Sequence, residues 1–183
     1  SLSRNGFAPS EKLLPGALPA MDLLCDPEGA LWWCDGTGRL YRADPAVFFI
    51  PELAGMDISG INALRVTNDR SWFATVEGLF SCALGELASP LLEHATVPVD
   101  PQTPIVSLDL APDGTIWAAT FGNGLFAVRP NGHVDHFSSG NGGIDPNVLC
   151  VRTRGEEVWL ATLSGMCRLV DGEATCFTPS GSG

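Results

Sequence analysis

Apolar residues along the chain fall into short runs separated by polar, Gly-rich or Pro-rich breaks, and one stretch shows the arrangement most clearly. Ile105-Val106-Ser107-Leu108-Asp109-Leu110 leads into Ala111-Pro112-Asp113-Gly114, a tight turn with Pro and Gly where a turn needs them. Ile116-Trp117-Ala118-Ala119-Thr120 follows, then a Gly-containing loop, Gly124-Leu125-Phe126, the hairpin dipeptide Asn131-Gly132, and the run from Val134 to Phe137. Runs this short, bounded by turn residues, predict β-strands. Every link is short, so the strands pair locally and antiparallel.

The same four pieces recur along the chain. Trp32, Trp72, Trp117 and Trp159 are spaced by 40, 45 and 42 residues, the period of a four-stranded propeller blade. The first copy keeps Gly29, Trp32-Trp33-Cys34-Asp35 and Gly38-Arg39-Leu40. The second reads Ile61-Asn62-Ala63-Leu64, Trp72-Phe73-Ala74-Thr75 and Gly78-Leu79. The fourth reads Val148-Leu149-Cys150-Val151, Val158-Trp159-Leu160-Ala161-Thr162 and Gly165-Met166, with Asp171-Gly172 as its hairpin signal. One small sheet cannot cover both its faces. Stacking such sheets about an axis covers them, and each Trp then wedges between neighbours. A β-sandwich gives no reason for Trp, Ala-Thr and Gly-Leu to recur in register. The expected fold is all-β, a β-propeller of about four four-stranded antiparallel blades. It would be a partial ring, a ring completed by a second chain, or a four-bladed ring. The blades are placed at 18–60, 61–104, 105–146 and 147–180. Residues 1–17 form an N-terminal segment able to add an outer strand, and 181–183 a tail.

Composition narrows the function. Gly and Pro supply 21 and 14 of the 183 residues, which favours turns over long helices. Ten basic against twenty-one acidic residues leave a net charge of −11, which argues against nucleic acid or anionic lipid as the main partner. No apolar run approaches the roughly 18 residues that span a bilayer, so no membrane insertion is expected within this chain. Ser1-Leu2-Ser3-Arg4-Asn5-Gly6 does not read as a signal peptide, which leaves a mature product, a cytosolic protein or an excised piece.

The six cysteines are Cys25, Cys34, Cys82, Cys150, Cys167 and Cys176. An even count is compatible with an oxidising compartment. If Asp171-Gly172 is a two-residue turn, Val170 faces Glu173 and Cys167 lies directly opposite Cys176, about 4.5 Å away between Cα atoms in a non-hydrogen-bonded pair. A cross-strand disulfide Cys167–Cys176 is therefore predicted. The same counting places Phe126 opposite His136. Cys150 falls on the crowded inner strand, where it reads as a small buried hydrophobe. None of the cysteines shows zinc-finger spacing, so no metal or other cofactor is expected.

The repeats resemble the two-component regulator propeller repeat, whose blades read Asp-Gly-Thr-Leu-Trp-Ile-Gly-Thr followed by Gly-Leu. Asp113-Gly114-Thr115-Ile116-Trp117-Ala118-Ala119-Thr120 with Gly124-Leu125 matches it closely. The other copies match less fully, and the resemblance covers about residues 18 to 180. It implies a periplasmic or extracellular sensor module that binds a ligand such as a glycan fragment upstream of a signalling output. Rings of that family carry about seven blades, more than the copies counted here.

Ligands of propellers usually sit on the face lined by the loops after the second and fourth strands. The second-strand ends are Asp35, Thr75, Thr120 and Thr162, and their loops add Thr37, Arg39, Glu77, Asn123 and Ser164. Fourth-strand exits add Asp57, Ser59, Asp100, Gln102, Asn141 and Asp145. This polar set, poor in cations, suits a small polar ligand, a glycan fragment or a protein surface. Threonines at a fixed repeat position also commonly satisfy backbone groups. Of the histidines, His133 and His136 are expected on an outer fourth strand and His94 near another, away from a central pocket. The chain is therefore expected to be non-catalytic, with a lyase related to the virginiamycin-inactivating propellers as the enzyme alternative. A homodimer or a protein-binding scaffold is the other alternative.

Overall fold

The computed structural model describes residues 20–25, 29, 31–35, 40–44, 46–50, 60–67, 70–83, 93–95 and 103–178. All of the regular structure among them is β. The first sheet holds β1 (Ala20–Cys25), β2 (Leu31–Asp35), β3 (Leu40–Asp44) and β4 (Ala46–Ile50). The second holds β5 (Ile61–Val66), β6 (Arg70–Thr75), β7 (Gly78–Ala83) and β8 (Glu93–Ala95). The third holds β9 (Ile105–Leu110), β10 (Ile116–Thr120), β11 (Leu125–Val128) and β12 (Val134–Phe137). The fourth holds β13 (Val148–Arg154), β14 (Glu157–Thr162), β15 (Gly165–Val170) and β16 (Glu173–Phe177). Each sheet is a four-stranded antiparallel meander in chain order.

The sheets stack as propeller blades. β1 packs on β5, β5 on β9 and β9 on β13, so the first strand of each sheet forms the inner row. Among the described strands, β13 makes no comparable contact back to β1. The fold is an arc of a β-propeller.

One apolar cluster fills each space between neighbouring sheets. Trp32 and Cys34 meet Ile61, Leu64 and Phe73 between the first and second. Ala74 and Leu79 meet Ile105, Leu108, Ile116 and Phe126 between the second and third. Trp117, Ala119 and Leu125 meet Val151, Val158 and Leu160 between the third and fourth. The small residues two positions after the Trp let the next sheet approach closely, and burial on both faces explains why β10 from Ile116 to Ala119 and all of β11 are apolar.

Polar bonds tie the inner strands together. Arg65 lies opposite Trp72 in the pairing of β5 with β6. Its guanidinium reaches Asp109 on one neighbouring inner strand (3.0 Å) and Asp22 on the other (3.4 Å). Asp22 also accepts the Leu64 amide (2.9 Å), and Asp109 accepts the Thr153 amide (2.6 Å). Each inner strand carries a bulge at the same place, passing over Met21, Asn62, Val106 and Leu149. The Asn62 side chain uses it to donate to the Ile105 carbonyl of the next sheet (2.9 Å).

The recurring Gly before the third strand has a steric cause. Gly124 and Gly165 have φ of +79° and +136°, and a Cβ on either would sit 2.3 Å from the carbonyl oxygen of Phe137 or Phe177. The end of the fourth strand lies directly on that glycine, so a side chain there is excluded.

Candidate functional site

The loops after the second strands close in one way. Thr75, Thr120 and Thr162 each donate their hydroxyl to the carbonyl of the glycine that opens the next strand, Gly78, Gly124 and Gly165, at 3.0, 2.8 and 3.0 Å. The Thr75 and Thr120 hydroxyls also accept the amides of Glu77 and Asn123. All three threonines are buried. They shape the loops from within, and their hydroxyls are engaged with backbone. Asn123 donates from its side-chain amide to Thr103 (3.1 Å), and its carbonyl takes the His136 Nε2 bond (2.6 Å). Asp35 ends β2, while Thr37, Arg39, Asp57, Ser59, Asp100 and Gln102 lie outside the described residues, as do 1–17 and 181–183.

The connection from the third to the fourth sheet, residues 138–147, runs across this end and is fastened to the loops on both sides. The Pro146 carbonyl accepts the amides of Gly122 (2.9 Å) and Gly124 (2.8 Å), and the Asn147 carbonyl accepts that of Leu163 (3.2 Å). Ser164 donates a short bond to Asp145, whose other oxygen accepts the Asn147 amide (2.7 Å). The Ser164 hydroxyl, followed by the Asn147 amide, holds the Asp145 carboxyl below its ordinary range. It is therefore a fixed negative charge at neutral pH.

Between this connection and the fourth sheet lies a recess of about 350 Å³. Its polar wall is Ser139, Asp145, Thr162, Ser164 and Thr178, with Ile144, Met166, Phe177 and the Cys167–Cys176 pair beside them. Thr162 and Ser164 belong to the set expected from sequence, and Asp145 to the strand exits. Ser139, Ile144 and Thr178 were not marked by any motif. They reach the recess because the connection folds back over the fourth sheet. Thr75, Glu77, Thr120 and Asn123 do not line this recess.

The predicted disulfide is present. Cys167 pairs with Cys176 in the β15–β16 register, with Cα atoms 4.0 Å apart. At the matching place in the third sheet Phe126 faces His136, and their rings stack at 4.3 Å. His136 lies on the outer strand as expected, whereas His133 sits in the turn before β12. Cys150 departs from its expected burial. It is only half-buried, on the innermost strand opposite Ala161, with its sulfur 3.9 Å from the Ser107 hydroxyl of the third sheet.

A larger groove of about 660 Å³ opens at the opposite end, between the third and fourth sheets. Its cation, Arg129, is already bridged to Asp135 (2.9 Å) and Asp113 (3.6 Å) and lies over the Trp117 ring at 5.9 Å. The Thr115 amide holds Asp113 below its ordinary pKa, and the Arg129 guanidinium does the same for Asp135. This network fastens the strand turns to one another. Among the described residues, no group of three His, Cys, Asp or Glu converges as a metal site would require.

No protein-family model and no curated protein matches the chain. Solved structures share its fold. The extracellular domain of one hybrid two-component system of B. thetaiotaomicron aligns over 92% of this chain and 22% of its own length, at 18% identity and a TM-score of 0.71. A second such domain from the same organism covers 87% of this chain and 23% of its own length, at 20% identity and 0.70. A catalytically inactive virginiamycin B lyase from Staphylococcus aureus, with quinupristin, covers 89% and 56% at 15% identity and 0.69. The chain thus spans about a fifth of the length of the two-component domains it resembles.

Proposed function

We propose that this chain is a non-catalytic sensing segment of a two-component-type receptor, periplasmic or extracellular, which binds a small polar ligand such as a glycan fragment. The observation that carries the reading is the recess beside the 138–147 connection. There a fixed carboxylate, Asp145, and the hydroxyls of Ser139, Ser164 and Thr178 border one opening. Convergent acceptors and hydroxyls with no cation suit a ligand that offers hydroxyl donors. The fold shared with extracellular two-component domains supports the receptor assignment. The Cys167–Cys176 bridge is consistent with an oxidising compartment. A carboxylate held below its ordinary pKa is a poor proton donor at neutral pH, which argues against general-acid chemistry in the recess. His136 is occupied by its stack on Phe126 and its bond to Asn123. The enzyme reading rests on a fold shared with enzymes such as virginiamycin B lyase and a GH74 enzyme.

Calorimetric titration of the chain with a panel of glycans and peptidoglycan fragments tests this. At least one member is expected to bind, and Asp145→Ala or Ser164→Ala is expected to weaken it about tenfold or more, as the loss of a charge-assisted hydrogen bond would. Binding that is unchanged in both variants, or no binding to any member, overturns the reading.

A further inference from the structure

The groove of about 660 Å³ between the third and fourth sheets has two unlike walls. On the third-sheet wall a guanidinium already sits between two carboxylates. Arg129 reaches Asp135 at 2.9 Å and Asp113 at 3.6 Å, over the Trp117 ring. The fourth-sheet wall has the acids without the cation. Glu156 and Asp171 are exposed, and among the described residues nothing is bonded to either carboxylate. The turns that carry them add only Gly155 and Gly172, so the rim of this wall has no side chains but the two acids. The arginine of the fourth sheet is turned away. Arg168 lies opposite Trp159 in the β14–β15 register, on the other face from Val158 and Leu169, where it bonds Glu157.

Between the rims the floor is apolar. The Trp117 and Phe137 rings meet at 5.7 Å between centroids, with Val158 and Leu169 beside them. Both sheets that form the groove are four-stranded and packed on each other. Four carboxylates against one guanidinium leave its lining with three uncompensated negative charges.

We propose that this groove docks a basic polypeptide segment of a partner protein. Glu156 and Asp171 receive its arginine or lysine, as Asp113 and Asp135 receive Arg129, and a neighbouring apolar side chain rests on the floor. The volume is that of a site for a ligand of several groups, which a chain supplies and a lone amine does not. The acidic rim attracts cationic segments and repels acidic ones. The groove lies at the opposite end of the sheets from the polar recess and shares no lining residue with it, so this docking and the ligand reading stand or fall separately.

Calorimetric titration with a pentapeptide of alternating leucine and arginine tests the proposal. It is expected to bind at least about tenfold more tightly than the same peptide with glutamine for arginine, and the glutamate version is expected not to bind. Glu156→Gln combined with Asp171→Asn is expected to weaken the arginine peptide about fivefold, as the loss of two exposed charge pairs would. Asparagine accepts the φ of +51° at position 171 and Glu156 is exposed, so circular dichroism of the double variant should match the parent chain. Salt raised from about 50 mM to about 500 mM should weaken the arginine peptide and leave the glutamine peptide unchanged. No binding of the arginine peptide, equal affinity for the glutamine peptide, or affinity unchanged in the double variant overturns the proposal. So does spermidine binding as tightly as the peptide, which would make a free polyamine the occupant.

Discussion

The third and fourth sheets present nearly the same side chains on one face, and among the described strands only the third has another sheet packed over that face. Trp117, Ala119 and Leu125 are buried against Val151, Val158 and Leu160, while Ala161 and Met166 at the matching places are exposed. The difference teaches where stability resides in a repeat protein. A blade's sequence fixes its hydrogen-bonded meander, but its apolar face contributes only through a neighbour. The measurement that separates the two sheets most widely is truncation of that face. Leu125→Ala is expected to cost about 2–5 kcal/mol in denaturant unfolding, the range for a fully buried leucine. Met166→Ala is expected to cost about 0.5 kcal/mol or less in dilute solution, where its side chain meets water. Equal costs in dilute solution would erase the contrast between the sheets.

A second contrast lies one strand further out. Where the third sheet stacks Phe126 on His136, the fourth closes a disulfide across the same rung. The half-exposed fourth sheet thus has a covalent clasp where the enclosed third sheet relies on packing. The double variant Cys167→Ser/Cys176→Ser is expected to lose about 2–3 kcal/mol, the chain-entropy value for a loop this short. His136→Ala is expected to lose about 1 kcal/mol, since the ring lies on the exposed outer strand and keeps only part of the stacking energy. Thermal melts of both variants, with and without reductant, check the ranking. A bridge whose removal costs no more than the histidine would show that the fourth sheet is held by other means.

These contrasts also mark what the amino-acid sequence could disclose. Pairing inside a meander is local, so Asp171-Gly172 sufficed to set Cys167 against Cys176, and Asn131-Gly132 to set Phe126 against His136. Contacts between sheets depend on how blades stack, which no short-range pattern encodes. The Arg65 bridge between Asp22 and Asp109 went unread for that reason, as did the repeated bulge, which no glycine marks. The candidate site shows the same division. Thr162 and Ser164 were legible as loop residues beside a strand end. Ser139 and Thr178 reach the recess only because the 138–147 connection folds over the fourth sheet. The threonines carry a further lesson, because a residue that recurs in three of the four repeats answers a need those repeats share. Here that need is a hydroxyl to hold the turn onto the glycine carbonyl.

The smallest effect concerns a feature the two sheets share. Each lays an arginine over its tryptophan, Arg129 over Trp117 and Arg168 over Trp159, both at 5.9 Å. Each arginine is steadied by carboxylates, Asp113 and Asp135 in the third sheet and Glu157 in the fourth. The Arg129 guanidinium lowers the Asp135 pKa. The Trp159 indole N–H, then Arg168, lower that of Glu157. A carboxylate whose pKa is lower in the folded chain than in the unfolded one stabilises the fold above the unfolded value and loses that contribution as pH falls through the folded value. Unfolded Asp and Glu titrate near about 3.9 and 4.3, so the melting temperature should fall on acidification below about pH 4, with little change between neutral pH and about pH 5. Asp135→Asn and Glu157→Gln should each flatten part of that slope. Because these groups are solvent-accessible, added salt should shrink the effect. A slope that persists in the double variant would place the acid sensitivity elsewhere, with Asp145 beneath the Ser164 hydroxyl the next group to replace. A slope that one substitution removes alone would show that only one of the two sheets depends on its arginine latch.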